Sequence, residues 1–235
     1  MIGTVVDIET TGFLKFDTDE HGFSRLSDNS EILEVGFITI DMSTARILNH
    51  GELYFYKPYF NIESDAQRIH GLTRDFLKQY EQDFEKNLIA LNSLIQSTCI
   101  IGKNSDKFDM PFIKAFIDKH AGPKFNIPEV VSTLNMKAYS NGYVEYPDRS
   151  YAMDLQVLFK NKYHELYYDK YHVSLASNKR GTLTDYIDVI PDAQEATDAI
   201  YAGFSKTRVT GAHGALYDAT MTLVVWMYMF INKMF

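Results

Sequence analysis

The stretch Gly3-Thr4-Val5-Val6-Asp7-Ile8-Glu9-Thr10-Thr11-Gly12 places two carboxylates where chemistry is possible. Val5, Val6 and Ile8 are β-branched and suit a pleated strand, which Gly12 ends. Side chains alternate along a strand, so Asp7 and Glu9 share one face and Ile8 takes the other. Two neighbouring carboxylates on a buried face repel each other and lose hydration, a costly arrangement unless a cation sits between them. All-oxygen ligands favour Mg²⁺ or Mn²⁺. A strand end at which both acids reach water is the plainer alternative. Two further clusters bear on the choice. Gly102-Lys103-Asn104-Ser105-Asp106-Lys107-Phe108-Asp109 ends with Asp109 opening an amphipathic helix, where an acid can also serve as a cap. Gly211-Ala212-His213-Gly214-Ala215-Leu216-Tyr217-Asp218 sets Asp218 in line with Thr222 and Val225, hence inward, with His213 on a Gly-flanked loop before it.

The strands and helices around these groups follow from periodicity. Residues 14–30 are polar and aperiodic and read as an exposed loop. Glu31 to Asp41 reads as a second strand. Asn49-His50-Gly51 reads as a turn before a third, Leu53 to Tyr56, stopped by Pro58. Three strands on short connections suggest an antiparallel meander. Short helices are expected at Ser64 to His70, ended by Gly71, and from Thr73; a longer one spans Asp83 to Gln96. Thr98 to Gly102 is a fully apolar strand of the kind covered on both faces. Asp109 to His120 is amphipathic, with Pro111 in its first turn. No period is sustained over 121–153. Helices are expected at Asp154 to Leu166, Leu183 to Ile190, Asp192 to Tyr201, and from about Ala215 to the end. The last is apolar nearly all round, so it belongs in the interior.

Length and composition bound the rest. A chain of 235 residues can bury a core as one domain, and 46% hydrophobic with 23% charged residues is ordinary for a soluble globular protein. The lone cysteine, Cys99, excludes an internal disulfide and is compatible with a reducing compartment. The N-terminus lacks the pattern of a secretory signal, so a cytoplasmic location is expected. The apolar run Leu223 to Ile231 is far shorter than the ~20 residues of a membrane span, so no membrane association is expected. A net charge of −8 argues against tight non-specific nucleic-acid binding, but not against a nuclease holding metal between its acids.

In order along the chain, Asp7-x-Glu9-Thr-Thr-Gly, Asn104-x₃-Phe108-Asp109 and His213-x₄-Asp218 resemble the three motifs of the DEDDh 3′–5′ exonucleases. His70-Gly71-Leu72, Asp75-Phe76-Leu77 and His213 to Asp218 are similar to segments of the proofreading ε subunits of bacterial DNA polymerase III. The resemblance covers 1–120 and 205–235 well and 121–204 weakly. It implies one exonuclease domain over 1–235 with an enlarged connection at about 121–204. The second motif has three residues between Asn104 and Phe108 where these enzymes more often have two. Lys103 stands where a His or aromatic is common, and Asp106 rivals Asp109 for the metal position; Asp109 is preferred because it directly precedes the helix. The chain ends with its last helix, so the tail by which ε subunits dock on their polymerase is not expected, and a polymerase partner is not carried over.

The resemblance implies a ribonuclease H-like α/β fold, a mixed five-stranded sheet with helices on both faces. It further implies two Mg²⁺ or Mn²⁺ ions held by Asp7, Glu9, Asp109 and Asp218, with Asp7 bridging them. Glu9 could also accept from a terminal 3′-hydroxyl. His213 would act as general base, a role suited to an imidazole whose unperturbed pKa is about 6.5. Products would be nucleoside 5′-monophosphates released from the 3′ end of single-stranded DNA. Thr10, Phe13 and His70 would line the terminal-nucleotide pocket, Asp65 would contact substrate, and Asn104 is counted among the substrate contacts. Phe13 could equally be loop packing, and His70 a helix-end histidine favoured by the dipole. Asp154 is taken as structural. Residues 160–180 interleave basic residues with four tyrosines, which suits either a single-strand platform or a helix packing its rings on the core. An exoribonuclease is the nearest rival, since the motifs do not read the 2′-hydroxyl. A catalytically silent nucleic-acid-binding module and a polymerase-associated structural subunit are rivals of other classes.

Overall fold

The structure is a computed structural model. It describes residues 1–13, 15–18, 24–27, 29–97, 99–105, 107–121, 137–138, 143–145, 151–208 and 210–234. The central sheet is built on β1 (Ile2–Thr10), β4 (Ile32–Asp41), β5 (Arg46–Tyr54), β6 (Cys99–Gly102) and β9 (Tyr151–Asp154). Their order is β5-β4-β1-β6-β9. β1 runs antiparallel to β4 and parallel to β6, so the sheet is mixed as expected. Two short strands, β7 (Lys137–Ala138) and β8 (Tyr143–Glu145), extend the β9 edge beyond the five. A separate ribbon pairs β2 (Phe16–Thr18) with β3 (Ser24–Leu26), where the polarity of 14–30 suggests only loop.

The chain before β5 turns earlier than its composition suggests. Thr44 N–H donates to the Asp41 carbonyl, and Ala45 takes φ 56°. Asn49, His50 and Gly51 therefore lie inside β5, opposite Thr39, Ile38 and Phe37, rather than in a turn. Asp154 likewise ends β9 instead of starting a long helix. Its carboxylate caps α5 (Leu155–Leu158) by accepting from Gln156 N–H, and α6 (Lys160–Tyr171) follows. Asp192 precedes α8 (Ala193–Ala202) at φ 59° and makes no side-chain cap bond, so its expected capping role is absent.

Each sheet face carries its own core. Val6 and Ile8 pack with α3 (Phe84–Ser97) and α4 (Asp109–Ala121). Val5, Ile38, Ile40 and Ile101 pack with α7 (Leu183–Val189), α8 and α9 (Ala215–Ile231). This split puts Val5, Asp7 and Glu9 on the α9 side of β1. Most of α9 is buried, which accounts for its nearly continuous apolar sequence. No helix among the described residues is long and apolar enough to cross a membrane.

One helix sits beside the C-terminal end of β1 and a second beside the end of β5. α1 (Ser64–His70) stops at Gly71, whose φ of 71° closes the helix through an N–H donated to the Gln67 carbonyl. α2 (Arg74–Leu77) starts at Thr73, whose side chain accepts from Phe76 N–H.

Candidate active site

Close approach of α9 to the sheet brings the acids together. A Cβ placed on Gly36 would lie 2.2 Å from the Ala215 carbonyl carbon and the Leu216 nitrogen. Only glycine lets the first turn of α9 touch β4 backbone at that point. Gly36 is the register partner of Asp7, so the same contact sets Asp218, in that first turn, over Asp7. One oxygen from each of Asp7, Glu9 and Asp218 lies within 4.8 Å of the others. Asp109, at the start of α4, is buried outside that tight group, close enough for its charge to act on Asp7 and Glu9. Asp106 lies outside the described residues.

The acids are held in strained ionisation. Burial, then the charges of Asp218, Asp109, Glu9 and Glu34, hold the Asp7 carboxyl well above the usual carboxylate range. Glu9 is pushed up to about 9 by burial, with Asp218 and Glu34 adding and Arg208 opposing. Burial raises Asp109 to about 7 against the pull of a backbone hydrogen bond. Burial also raises Asp218 to about 6, while the hydrogen bond from His213 N–H pulls it down. Such a set is relieved by a hard divalent cation, whose charge replaces the bound protons. The donor set therefore fits Mg²⁺ or Mn²⁺.

His213 stands at the mouth of this cluster. It adopts φ 68°, and its N–H donates to the Asp218 carboxylate at 3.1 and 3.3 Å. Its ring is exposed beside the carboxylates. A left-handed residue before the helix, rather than a cap side chain, aims the backbone donor at Asp218.

Beside the acids lies a cavity of about 190 Å³, lined by Glu9, Thr10, Phe13, Asp65, His70 and Phe108, with Glu63 at its edge. Thr10 is buried, its hydroxyl donating to the Gly12 carbonyl at 2.7 Å. Phe13 is 79% exposed, so it makes a rim and not a core contact. Asp65 is exposed and pairs with Arg68. His70 is buried; its Nδ1 accepts from Leu72 N–H at 3.0 Å, which leaves the proton on Nε2. That Nε2 is itself buried and makes no hydrogen bond of ordinary geometry among the described residues; the Thr10 backbone is the acceptor beside it. Burial holds the His70 imidazole down at about 4, so the ring stays neutral.

Asn104 does not line this cavity. It takes φ 61° and donates its N–H to Asp154 at 2.8 Å, fixing the loop that leads to Asp109. Lys103 extends over the Tyr186 ring at 5.6 Å, and burial lowers its ammonium pKa. The tyrosine-rich stretch at 160–180 is divided, with Tyr168 and Tyr171 exposed. Tyr163 is buried, Tyr167 leans on the core, Lys170 pairs with Asp188, and Tyr171 O–H donates to Asp188. Core packing accounts for Tyr163 and Tyr167, while Tyr168, Tyr171 and most residues from 168 to 180 lie at the surface.

Two residues beside the acids were not singled out by motif. Glu34, opposite Glu9 in the register, is fully buried and accepts from Arg208 at 2.8 Å. A carboxylate inside the apolar run Ile32-Leu33-Glu34-Val35 was the available signal. Arg208 gave none, standing in a loop of mixed composition.

A family of exonucleases, RNase T, matches residues 4–169. Among solved structures, exonuclease I of E. coli in complex with a dT13 oligonucleotide has a TM-score of 0.59 at 16% identity. The alignment covers 99% of this chain and 41% of that one. The zinc-bound form of the same enzyme with single-stranded DNA has a TM-score of 0.57 at 16% identity over 99% and 40% of the two chains. Cell-death related nuclease 4 has a TM-score of 0.52 at 11% identity over 99% and 64%. This chain thus spans about two fifths of the length of the exonuclease I chains it matches. The likeness shows a shared ribonuclease H-like fold. No curated protein sequence matches this chain.

Proposed function

The chain belongs to the RNase T exonuclease family, and from that premise we propose that it is a metal-dependent 3′–5′ exonuclease acting on single-stranded DNA. One observation carries the reading: three carboxylates converge within 4.8 Å beside a cavity that shares Glu9 with them. The single-stranded oligonucleotides in the exonuclease I complexes support DNA as the substrate.

Asp7, Glu9, Asp109 and Asp218 would hold two Mg²⁺ or Mn²⁺ ions. When bound, such ions lower the pKa of a water nucleophile and stabilise charge on the leaving oxygen. The protein's own groups do the rest. The last base stacks against Phe13 and Phe108, and Ile69 completes an apolar wall. Thr10 backbone and Glu9 meet the terminal 3′-hydroxyl, which confines attack to the last phosphodiester. The His70 ring forms part of the wall against the terminal nucleotide and backs the Thr10 backbone, and Asp65 contacts substrate at the cavity rim. Asn104 acts at a distance, by shaping the loop before Asp109. His213 takes the proton from the attacking water, and its exposed position lets it pass that proton to solvent. The product is a nucleoside 5′-monophosphate.

A time course on 5′- and 3′-labelled DNA and RNA oligonucleotides of equal sequence, in Mg²⁺, Mn²⁺ or EDTA, tests this. A 5′-labelled DNA ladder shortening from the 3′ end, with mononucleotide from the 3′ label and no reaction in EDTA, is expected. Internal cuts, or full activity in EDTA, refute it; faster loss of RNA moves the assignment to an exoribonuclease.

A further inference from the structure

The segment between α8 and α9 is tied down at several points. Phe204 stacks on His50 with ring centroids 4.2 Å apart, and Thr207 N–H donates to Glu52 at 2.6 Å. The Tyr201 hydroxyl accepts from Thr210 N–H at 3.0 Å. Arg208 reaches furthest. Its Nη2 donates to Glu34 Oε2 at 2.8 Å, its Nη1 donates to the His70 carbonyl at 3.1 Å, and its guanidinium lies 5.8 Å from the Phe76 ring. One side chain thus joins the His213 loop to β4 directly behind Glu9 and to the last turn of α1.

We propose that Arg208 is a positioning residue for the 3′-end cavity. This rests on the exonuclease reading of that cavity. The His70 carbonyl ends a helix and has lost its intrahelical donor. Arg208 supplies one, and so fixes the backbone from which the His70 ring enters the cavity. The ring is pinned from its other side by Leu72 N–H at Nδ1. Between these two restraints the His70 ring is held as part of the cavity wall beside Thr10, with its Nε2 buried against the Thr10 backbone. The planar fork of the guanidinium is what allows two bonds in two directions, to Glu34 and to His70. A lysine supplies charge from one point and cannot bridge the same pair. Arg208 touches neither Asp7 nor Asp218, and its loop keeps its ties to His50, Glu52 and Tyr201 when the guanidinium is removed.

The test compares Arg208→Lys and Arg208→Gln with wild type. Leu91→Ala, in the core of α3 away from the cavity, serves as a control of lowered stability. Binding of a fluorescent 3′-hydroxyl DNA oligonucleotide is measured in EDTA by anisotropy, Mn²⁺ binding by titration of the metal-free protein, and KM and kcat in Mg²⁺. Both Arg208 variants should weaken oligonucleotide binding and raise KM by roughly five- to tenfold, the loss of one oriented hydrogen bond. In Arg208→Lys, which keeps a positive charge near Glu9, Mn²⁺ affinity and kcat should each stay within about threefold of wild type, a smaller free-energy change than the binding loss. Leu91→Ala should lower the melting temperature and leave KM unchanged. Wild-type KM and oligonucleotide binding in Arg208→Lys would overturn the proposal. So would a parallel loss of Mn²⁺ affinity in that variant. If Arg208→Gln does not fold, Arg208→Lys alone decides. Absence of hydrolysis by the wild type refutes the exonuclease reading instead, and is seen before any variant is compared.

Discussion

Replacing Gly36 by Ala tests how the acids are assembled. The added Cβ would lie 2.2 Å from Ala215 and Leu216 backbone atoms, and ordinary contact begins near 3.4 Å, so α9 must retreat by about 1.2 Å. Backbone on both sides leaves no side chain to swing away. Overpacking of this kind typically costs about 1–3 kcal/mol of stability. The effect on chemistry should be larger. Asp218 and the His213 N–H bonded to it ride on that end of α9, whereas Asp7 and Glu9 stay with β1. A retreat of that size opens a cluster whose ligand oxygens now lie within 4.8 Å of one another. A misplacement of about 1 Å can lower the rate about 10²-fold. Gly36→Ala should therefore lose about that factor in kcat, weaken Mn²⁺ binding, and keep oligonucleotide binding in EDTA, because the cavity stands on the end of β1, on α1 and on Phe108. Gly51→Ala is the control. Its Cβ meets the far edge of the Phe37 ring at 2.9 Å, on the same sheet but away from α9. Thermal melts, Mn²⁺ titration and single-turnover hydrolysis measure the three effects. Wild-type kcat and Mn²⁺ affinity in a folded Gly36→Ala protein would refute the argument that this contact sets the site.

Three further outcomes follow from the same geometry. Glu9, Asp109 and Asp218 have folded-state values of about 9, 7 and 6, above the ordinary carboxylate range near 4, so the folded metal-free protein holds extra protons between those limits. Its melting temperature in EDTA should fall as pH rises from 5 to 8; excess Mg²⁺ should stabilise it more at pH 8 than at pH 5, and a melting temperature that instead rises over this range in EDTA counts against the shared cluster. His213→Ala should lower kcat about 10²–10⁴-fold with Mn²⁺ affinity retained, whereas Asp218→Ala loses both; equal loss of Mn²⁺ in the two variants contradicts a general-base role. Asp109→Asn should abolish most hydrolysis and Asp106→Asn should spare it, and the opposite ranking, read from initial rates, would assign the second motif to Asp106.

Much of the site was legible before any fold. Alternation alone put Asp7 and Glu9 on one face, because a strand has a period of two. The spacing of Asp218 from Thr222 and Val225 placed it inward, because a helix repeats every 3.6 residues. The order of the three motifs pointed to an exonuclease, and the family match agrees. These are local properties, carried by residues a few positions apart. What local pattern could not supply was distance between segments. Gly36 reads as one more residue in an apolar strand until α9 is seen lying on it. Asn49-His50-Gly51 has turn composition, yet pairing with β4 outweighs propensity and draws it into β5. Glu34 and Arg208 are 174 positions apart and meet only in the folded chain, where burial makes each need the other. Residue types and short spacings were enough to name the groups able to bind cations and move protons; which of them meet depended on how α9 packs on the sheet, because ligand geometry is a long-range property and periodicity is a short-range one.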